Sequence, residues 1–120
     1  MARIMIVDDN KDIVQTMQDL LRDAGHTTAA TYGGKDFLVK VQKFHPDLIV
    51  MDVMMPGMDF KDLLEQFLQL QLSAAIILVT VVRFSSDEGV VLRKRYRVVD
   101  YIKKPFQVKD LLASVKKHTR

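Results

Sequence analysis

Asp8, Asp9, Asp52, Thr80 and Lys104 are residue types that phosphoryl chemistry uses, and each stands just past a short apolar run. Asp8 and Asp9 close Arg3-Ile4-Met5-Ile6-Val7, and Asp52 closes Leu48-Ile49-Val50-Met51. Thr80 closes Ala75-Ile76-Ile77-Leu78-Val79, and Lys104, followed by Pro105, closes Val98-Val99-Asp100-Tyr101-Ile102-Lys103. Carboxylates suit a hard divalent cation such as Mg²⁺, while a hydroxyl and an ammonium suit phosphate oxygens. Clustered carboxylates repel one another unless a cation compensates them. A divalent ion and Lys104 would supply that compensation.

The runs have strand length, and helical patterns separate them. Ile13, Val14, Met17, Leu20, Leu21 and Ala24 share one helical face, and Gly25 follows as a stop. Thr27 to Thr31 reads as a short second strand. Phe37, Leu38, Val41 and Phe44 mark a second helix, which His45-Pro46 ends. Pro56-Gly57 signals a turn, and Phe60, Leu63, Leu64, Phe67 and Leu68 mark a third helix. The fourth helix, about Ser86 to Tyr96, is the least regular. Val108, Leu111, Leu112 and Val115 define the fifth.

Five such β-α units in one chain of 120 residues predict an α/β fold. Its expected form is a flavodoxin-like, doubly wound, five-stranded parallel sheet, order 2-1-3-4-5, with five helices over residues 1–120. That order makes the first and third strands neighbours, so Asp8 and Asp9 would face Asp52. All the polar tips would lie at the carboxyl edge, where open α/β sheets bind ligands.

Cysteine is absent, which excludes disulfides, thiolate metal sites and thiol nucleophiles. No apolar run approaches the ~20 residues of a membrane span. Asp8 also cuts the first apolar stretch too short for a signal peptide. A cytoplasmic protein is the expectation. Charge is uneven: residues 1–92 hold 8 Lys and Arg against 13 Asp and Glu, whereas residues 93–120 hold 10 against 2. The basic last quarter points to a negatively charged partner, an acidic protein surface before nucleic acid, since no base-recognition motif is present.

The sequence resembles a response-regulator receiver domain, the phosphoryl-accepting half of two-component signalling. The matching stretches are Ile6-Val7-Asp8-Asp9-Asn10, Asp52-Val53-Met54-Met55-Pro56-Gly57-Met58-Asp59, Thr80, and Asp100-Tyr101-Ile102-Lys103-Lys104-Pro105-Phe106. The resemblance implies that Asp52 accepts a phosphoryl group from a phosphohistidine of a histidine kinase or phosphotransfer domain. It implies Mg²⁺ held by Asp9, Asp52 and the Met54 carbonyl, with Asp8 acting directly or through water. Lys104 would pair with the phosphoryl oxygens, and Thr80 and the Val81 N–H would donate to them. Thr80 and Tyr101 would form the switch, and the Lys104–Pro105 bond would be cis. Such a domain is a signalling module rather than an enzyme, limited to Mg²⁺-dependent self-phosphorylation and autodephosphorylation. A homodimer through the fourth helix, fifth strand and fifth helix is a further implication.

Several positions depart from the family pattern. Phe60 and Val81 replace small residues, Arg97-Val98 replaces Gly-Ala, and the stretch from Thr80 to Tyr101 is about two residues longer. A shifted, frayed or remodelled fourth helix is the expectation. Two alternatives differ in mechanism. A pseudo-receiver would dock without phosphorylation, but it has no need of this complete acidic and basic set. A small Mg²⁺-dependent phosphatase with an aspartate nucleophile would carry a second acid where Met54 stands.

Overall fold

A computed structural model describes residues 1–119. The elements run β1 (Arg3–Val7), α1 (Lys11–Asp23), β2 (Thr27–Thr31), α2 (Gly34–Phe44), β3 (Leu48–Met51), α3 (Phe60–Gln69), β4 (Ala75–Thr80), α4 (Ser86–Tyr96), β5 (Val98–Lys103) and α5 (Val108–His118). The strands form one parallel sheet in the order β2-β1-β3-β4-β5, as expected.

Alternation along the strands divides the core into two layers. Met5, Val7, Ile49, Met51, Ile76 and Leu78 face Phe37 and Val41 of α2, Leu63, Leu64 and Phe67 of α3, and Leu92 of α4. Ile4, Ile6, Leu48, Val50, Ile77 and Val79 face Val14, Met17 and Leu21 of α1, with Leu111 and Val115 of α5. Helices on both faces explain why β1, β3 and β4 are nearly all apolar. Each fully buried Leu or Ile contributes roughly 1.5–3 kcal/mol, so this packing fixes the strand tips relative to one another.

Local chemistry sets the ends of the helices. Asn10 caps α1, its side-chain oxygen accepting from the N–H groups of Asp12 and Ile13. His45 ends α2 in the left-handed region at φ 53°. Gly57 has φ +91°, which the Pro56-Gly57 turn requires and a side chain would resist.

The expected disturbance of α4 takes another form. The helix is regular over Ser86–Tyr96, neither frayed nor shifted from its expected span, because Ser85 and Glu88 close a capping box at its start. The irregularity falls after it. Arg97 occupies the left-handed region at φ 60° as the C-cap. The β4–β5 register then slips by one residue, from Ile76↔Val98 to Ile77↔Asp100. That slip leaves Val99 unpaired and still brings Thr80 opposite Lys103.

Candidate functional site

The first acidic pair comes from the end of β1. The Asp8 N–H donates to the Thr31 carbonyl at 3.2 Å, which ties the turn to β2. Asp8 is buried and Asp9 is exposed. The Asn10 N–H donates to Asp8 Oδ1 at 2.9 Å, so one residue both caps α1 and orients a carboxylate.

Asp52 follows β3, the neighbour of β1. Its N–H donates to the Val7 carbonyl at 2.9 Å, and its Oδ1 accepts from the Met54 N–H at 3.1 Å. Oxygens of Asp8, Asp9 and Asp52 lie within 4.8 Å of one another. Three carboxylates so close, two of them buried, form a donor set suited to a divalent cation.

Lys104 arrives from beyond β5. Its N–H donates to the Thr80 carbonyl at 3.0 Å. Its ammonium donates to Asp8 Oδ2 at 2.7 Å and to Asp52 Oδ2 at 2.9 Å. Burial pulls the Lys104 pKa down, but the hydrogen bonds to Asp8 and Asp52 and their charges outweigh it and hold it above its ordinary value. Lys103 is exposed, so of the two adjacent lysines only Lys104 reaches the cluster. The Lys104–Pro105 bond is cis, as expected.

Thr80 is buried at the tip of β4, and its hydroxyl accepts the Val82 N–H at 3.2 Å. It makes no hydrogen bond to Asp8, Asp9 or Asp52. Val81 and Met54 are exposed apolar residues, 55% and 58% accessible. Tyr101 stands apart, 37% exposed. Its ring lies 5.8 Å from that of Phe84, which lies 6.2 Å from that of Phe60.

The backbone N–H groups of Asn10, Met54 and Val82 are the participants that residue type alone did not single out. The Asp-x-Asn spacing before a helix was the one readable signal, because a short polar side chain there bonds backbone two residues on. The histidines stay outside the site: His26 accepts from the Ala2 N–H, and His118 Nε2 lies 3.8 Å from Asp100 Oδ2.

Three carboxylates with one ammonium leave net negative charge, which a divalent cation would balance. The arrangement gathers three carboxylates and one fixed ammonium at a single edge of the sheet.

The family model for the response regulator receiver domain matches residues 4–116. Protein PilG of Pseudomonas aeruginosa is 30% identical over 119 residues, covering 97% of this chain and 86% of that protein. The DNA-binding response regulator MtrA of Mycobacterium tuberculosis is 34% identical, covering 98% of this chain but 50% of that protein. The chain therefore spans about half the length of several curated relatives. Among solved structures, chemotaxis protein CheY4 of Vibrio cholerae superposes with a TM-score of 0.84 at 28% identity, covering 98% of both chains.

Proposed function

This chain belongs to the response regulator receiver domain family, and we propose that residues 1–120 work as the phosphoryl-accepting switch of a two-component phosphorelay. Asp52 is the phosphoacceptor. An Asp52 carboxylate oxygen attacks phosphorus, the phosphorus–nitrogen bond of a phosphohistidine breaks, and the imidazole leaves with its electron pair. The donor is a histidine kinase or a phosphotransfer domain. The observation that carries this reading is the Lys104 ammonium bonded to both Asp8 and Asp52. That contact places a fixed cation beside the nucleophile, and phosphoryl transfer needs mainly positioning and charge neutralisation.

Asp8, Asp9 and Asp52, with the Met54 carbonyl, would hold Mg²⁺, which supplies positive charge for the phosphoryl oxygens. Lys104 pairs with one of those oxygens. The Thr80 hydroxyl leaves the Val82 N–H and donates to another, and the Val81 N–H supplies a further bond. Tyr101 then turns inward into the space Thr80 vacates. The site performs its own phosphorylation and slow hydrolysis, and its output is binding rather than turnover. Partner binding follows on the face of α4, β5 and α5, elements whose exposed cations include Arg93, Lys94, Lys103, Lys109, Lys116 and Lys117. An acidic protein surface fits that charge, and the same face can pair two copies. Among the described residues no helix is long and apolar enough to cross a membrane, and a cytoplasmic site of action fits this reading. Met54 stands where a phosphatase of the aspartate-nucleophile type would carry its second acid, which disfavours that chemistry.

Incubation with Mg²⁺ and acetyl phosphate, read by intact mass, tests the assignment. One phosphoryl group should appear on the wild type and none on Asp52→Asn, and a chelator should stop the reaction. Continued labelling of Asp52→Asn would overturn it.

A further inference from the structure

Little apolar packing holds α4 on the body of the protein. Only Gly89 and Leu92 of this helix are buried, while Val90 and Val91 are 38% and 50% exposed. A cavity of about 280 Å³ lies between the start of α3 and α4, bordered by Phe60, Phe84, Val91, Leu92 and Tyr96. Leu92 is the one large side chain that α4 inserts fully into the core. One leucine anchors a helix weakly compared with the apolar faces of α1 and α3.

Exposed polar side chains also join α3 to α4. Arg95 Nε lies 2.7 Å from Glu65 Oε1, and Arg95 Nη2 lies 2.9 Å from Glu65 Oε2. The Tyr96 hydroxyl donates to the same Glu65 Oε1. The guanidinium also sits 5.5 Å from the centre of the Tyr96 ring. A planar fork on a carboxylate is the most direction-specific ion pair a protein can make. Here it joins the middle of α3 to the last turn of α4. The first turn of α4 touches the other moving part. A Cβ added to Gly89 would meet the Tyr101 hydroxyl at 3.5 Å, and the Phe84 ring packs at a tilt against the Tyr101 ring. In this arrangement the Thr80 hydroxyl accepts from the Val82 N–H, and Tyr101 lies partly exposed against Phe84 and α4.

We propose that Glu65, Arg95 and Tyr96 form a clasp that holds α4 where Tyr101 lies outward, and so biases the protein toward its unphosphorylated arrangement. The inference rests on Asp52 and Tyr101 acting as described above. A contact made in one state and lost in the other stabilises the first, and removing it shifts the balance to the second. Glu65, Arg95 and Tyr96 are positioning residues, remote from the reacting atoms. The Tyr96 and Arg95 hydrogen bonds hold the Glu65 carboxyl below its ordinary range, consistent with an ionised clasp.

The test titrates the full chain, in Mg²⁺, with beryllium fluoride as a tetrahedral mimic of the phosphoryl group. Hydrogen exchange is read in parallel. Glu65→Gln removes the charge and keeps the shape, and Arg95→Lys keeps the charge and loses the fork. Glu65→Gln should bind the mimic roughly three- to tenfold more tightly than the wild type. Arg95→Lys should shift the same way by less, with faster exchange confined to α4. If Glu65→Gln does not fold, Tyr96→Phe carries the expectation, with a smaller gain. Equal or weaker binding by the variants, with the wild type binding normally, overturns the clasp, as does general loss of stability without tighter binding. Failure of the phosphoacceptor reading looks different: the wild type itself would bind no better than Asp52→Asn.

Discussion

Lys104 reaches past the tip of β4 to place its ammonium 2.9 Å from Asp52, which follows β3. The bond spans two strand spacings and is nearly buried at both ends. It ties the end of β5 to the centre of the sheet while occupying the space beside the Asp52 carboxylate. Stability and chemistry therefore draw on the same contact with opposite demands.

Lys104→Met separates those demands. Removing one partner of a buried pair leaves uncompensated charge, which costs about 3–5 kcal/mol when burial is complete. With Lys104 partly accessible, about 2–4 kcal/mol of lost stability is expected without metal. Mg²⁺ should bind more tightly, because a competing cation is gone, while phosphoryl uptake falls. Denaturant melts with and without Mg²⁺ check the first two, and intact mass after incubation with acetyl phosphate checks the third. An unchanged metal-free melt would contradict the pairing.

Asp8 and Asp9 should respond in opposite ways. Asp9 is exposed and adds repulsion, so Asp9→Ala should stabilise the metal-free protein slightly and weaken Mg²⁺ binding. Asp8 accepts from Lys104 and from the Asn10 N–H, so Asp8→Ala should lower stability. Thermal melts that move together for the two variants would refute the distinction.

The lifetime of the phosphorylated state depends on attacking water. On the proposed reading Met54 and Val82, two residues beyond Asp52 and Thr80, flank the attacking water and offer it no side-chain hydrogen bond. Without a water-positioning group, transition-state stabilisation falls by ~1–2 kcal/mol, roughly tenfold in rate. Slow self-dephosphorylation is expected, with faster loss in Met54→Asn and Val82→Glu. Decay rates that both variants leave unchanged would assign control to loop motion instead.

Glu65 supplies a pH test. Its Tyr96 hydrogen bond first, and then Arg95, hold it below the ordinary 4.5, so above that pH the folded state gains from the ionised group. That gain disappears as pH falls through the lowered value. The stability difference between wild type and Glu65→Gln should be constant near neutrality and shrink toward zero in acid. A difference that persists at acidic pH would show that the ionised charge of Glu65 is not its source.

Salt probes the basic quarter. Lys and Arg on the last turns of α4 and α5 should speed association with an acidic partner at low ionic strength, and the rate should drop as salt screens them. Tight binding of duplex DNA at physiological salt would reverse the preferred partner class.

Local pattern determined much of this protein. Apolar runs of strand length, Gly25 after the first helix and His45-Pro46 after the second were enough to place the elements. Right-handed crossovers then ordered the sheet and gathered Asp8, Asp9, Asp52, Thr80 and Lys104 at one edge. The Ser85 and Glu88 capping box, which periodicity did not single out, explains why α4 forms despite its weak amphipathicity. What tertiary structure alone decided involves distance in sequence. Burial of Asp8 but not Asp9 depends on how Lys104, 96 residues away, folds back over the turn. The direction of the Thr80 hydroxyl depends on the path of its loop toward Val82. The clasp joins Glu65 to Arg95 across 30 residues, and no periodicity marks it. Periodicity reports which face a residue lies on. Which charged groups meet depends on side-chain reach and on the register in which separate elements pack.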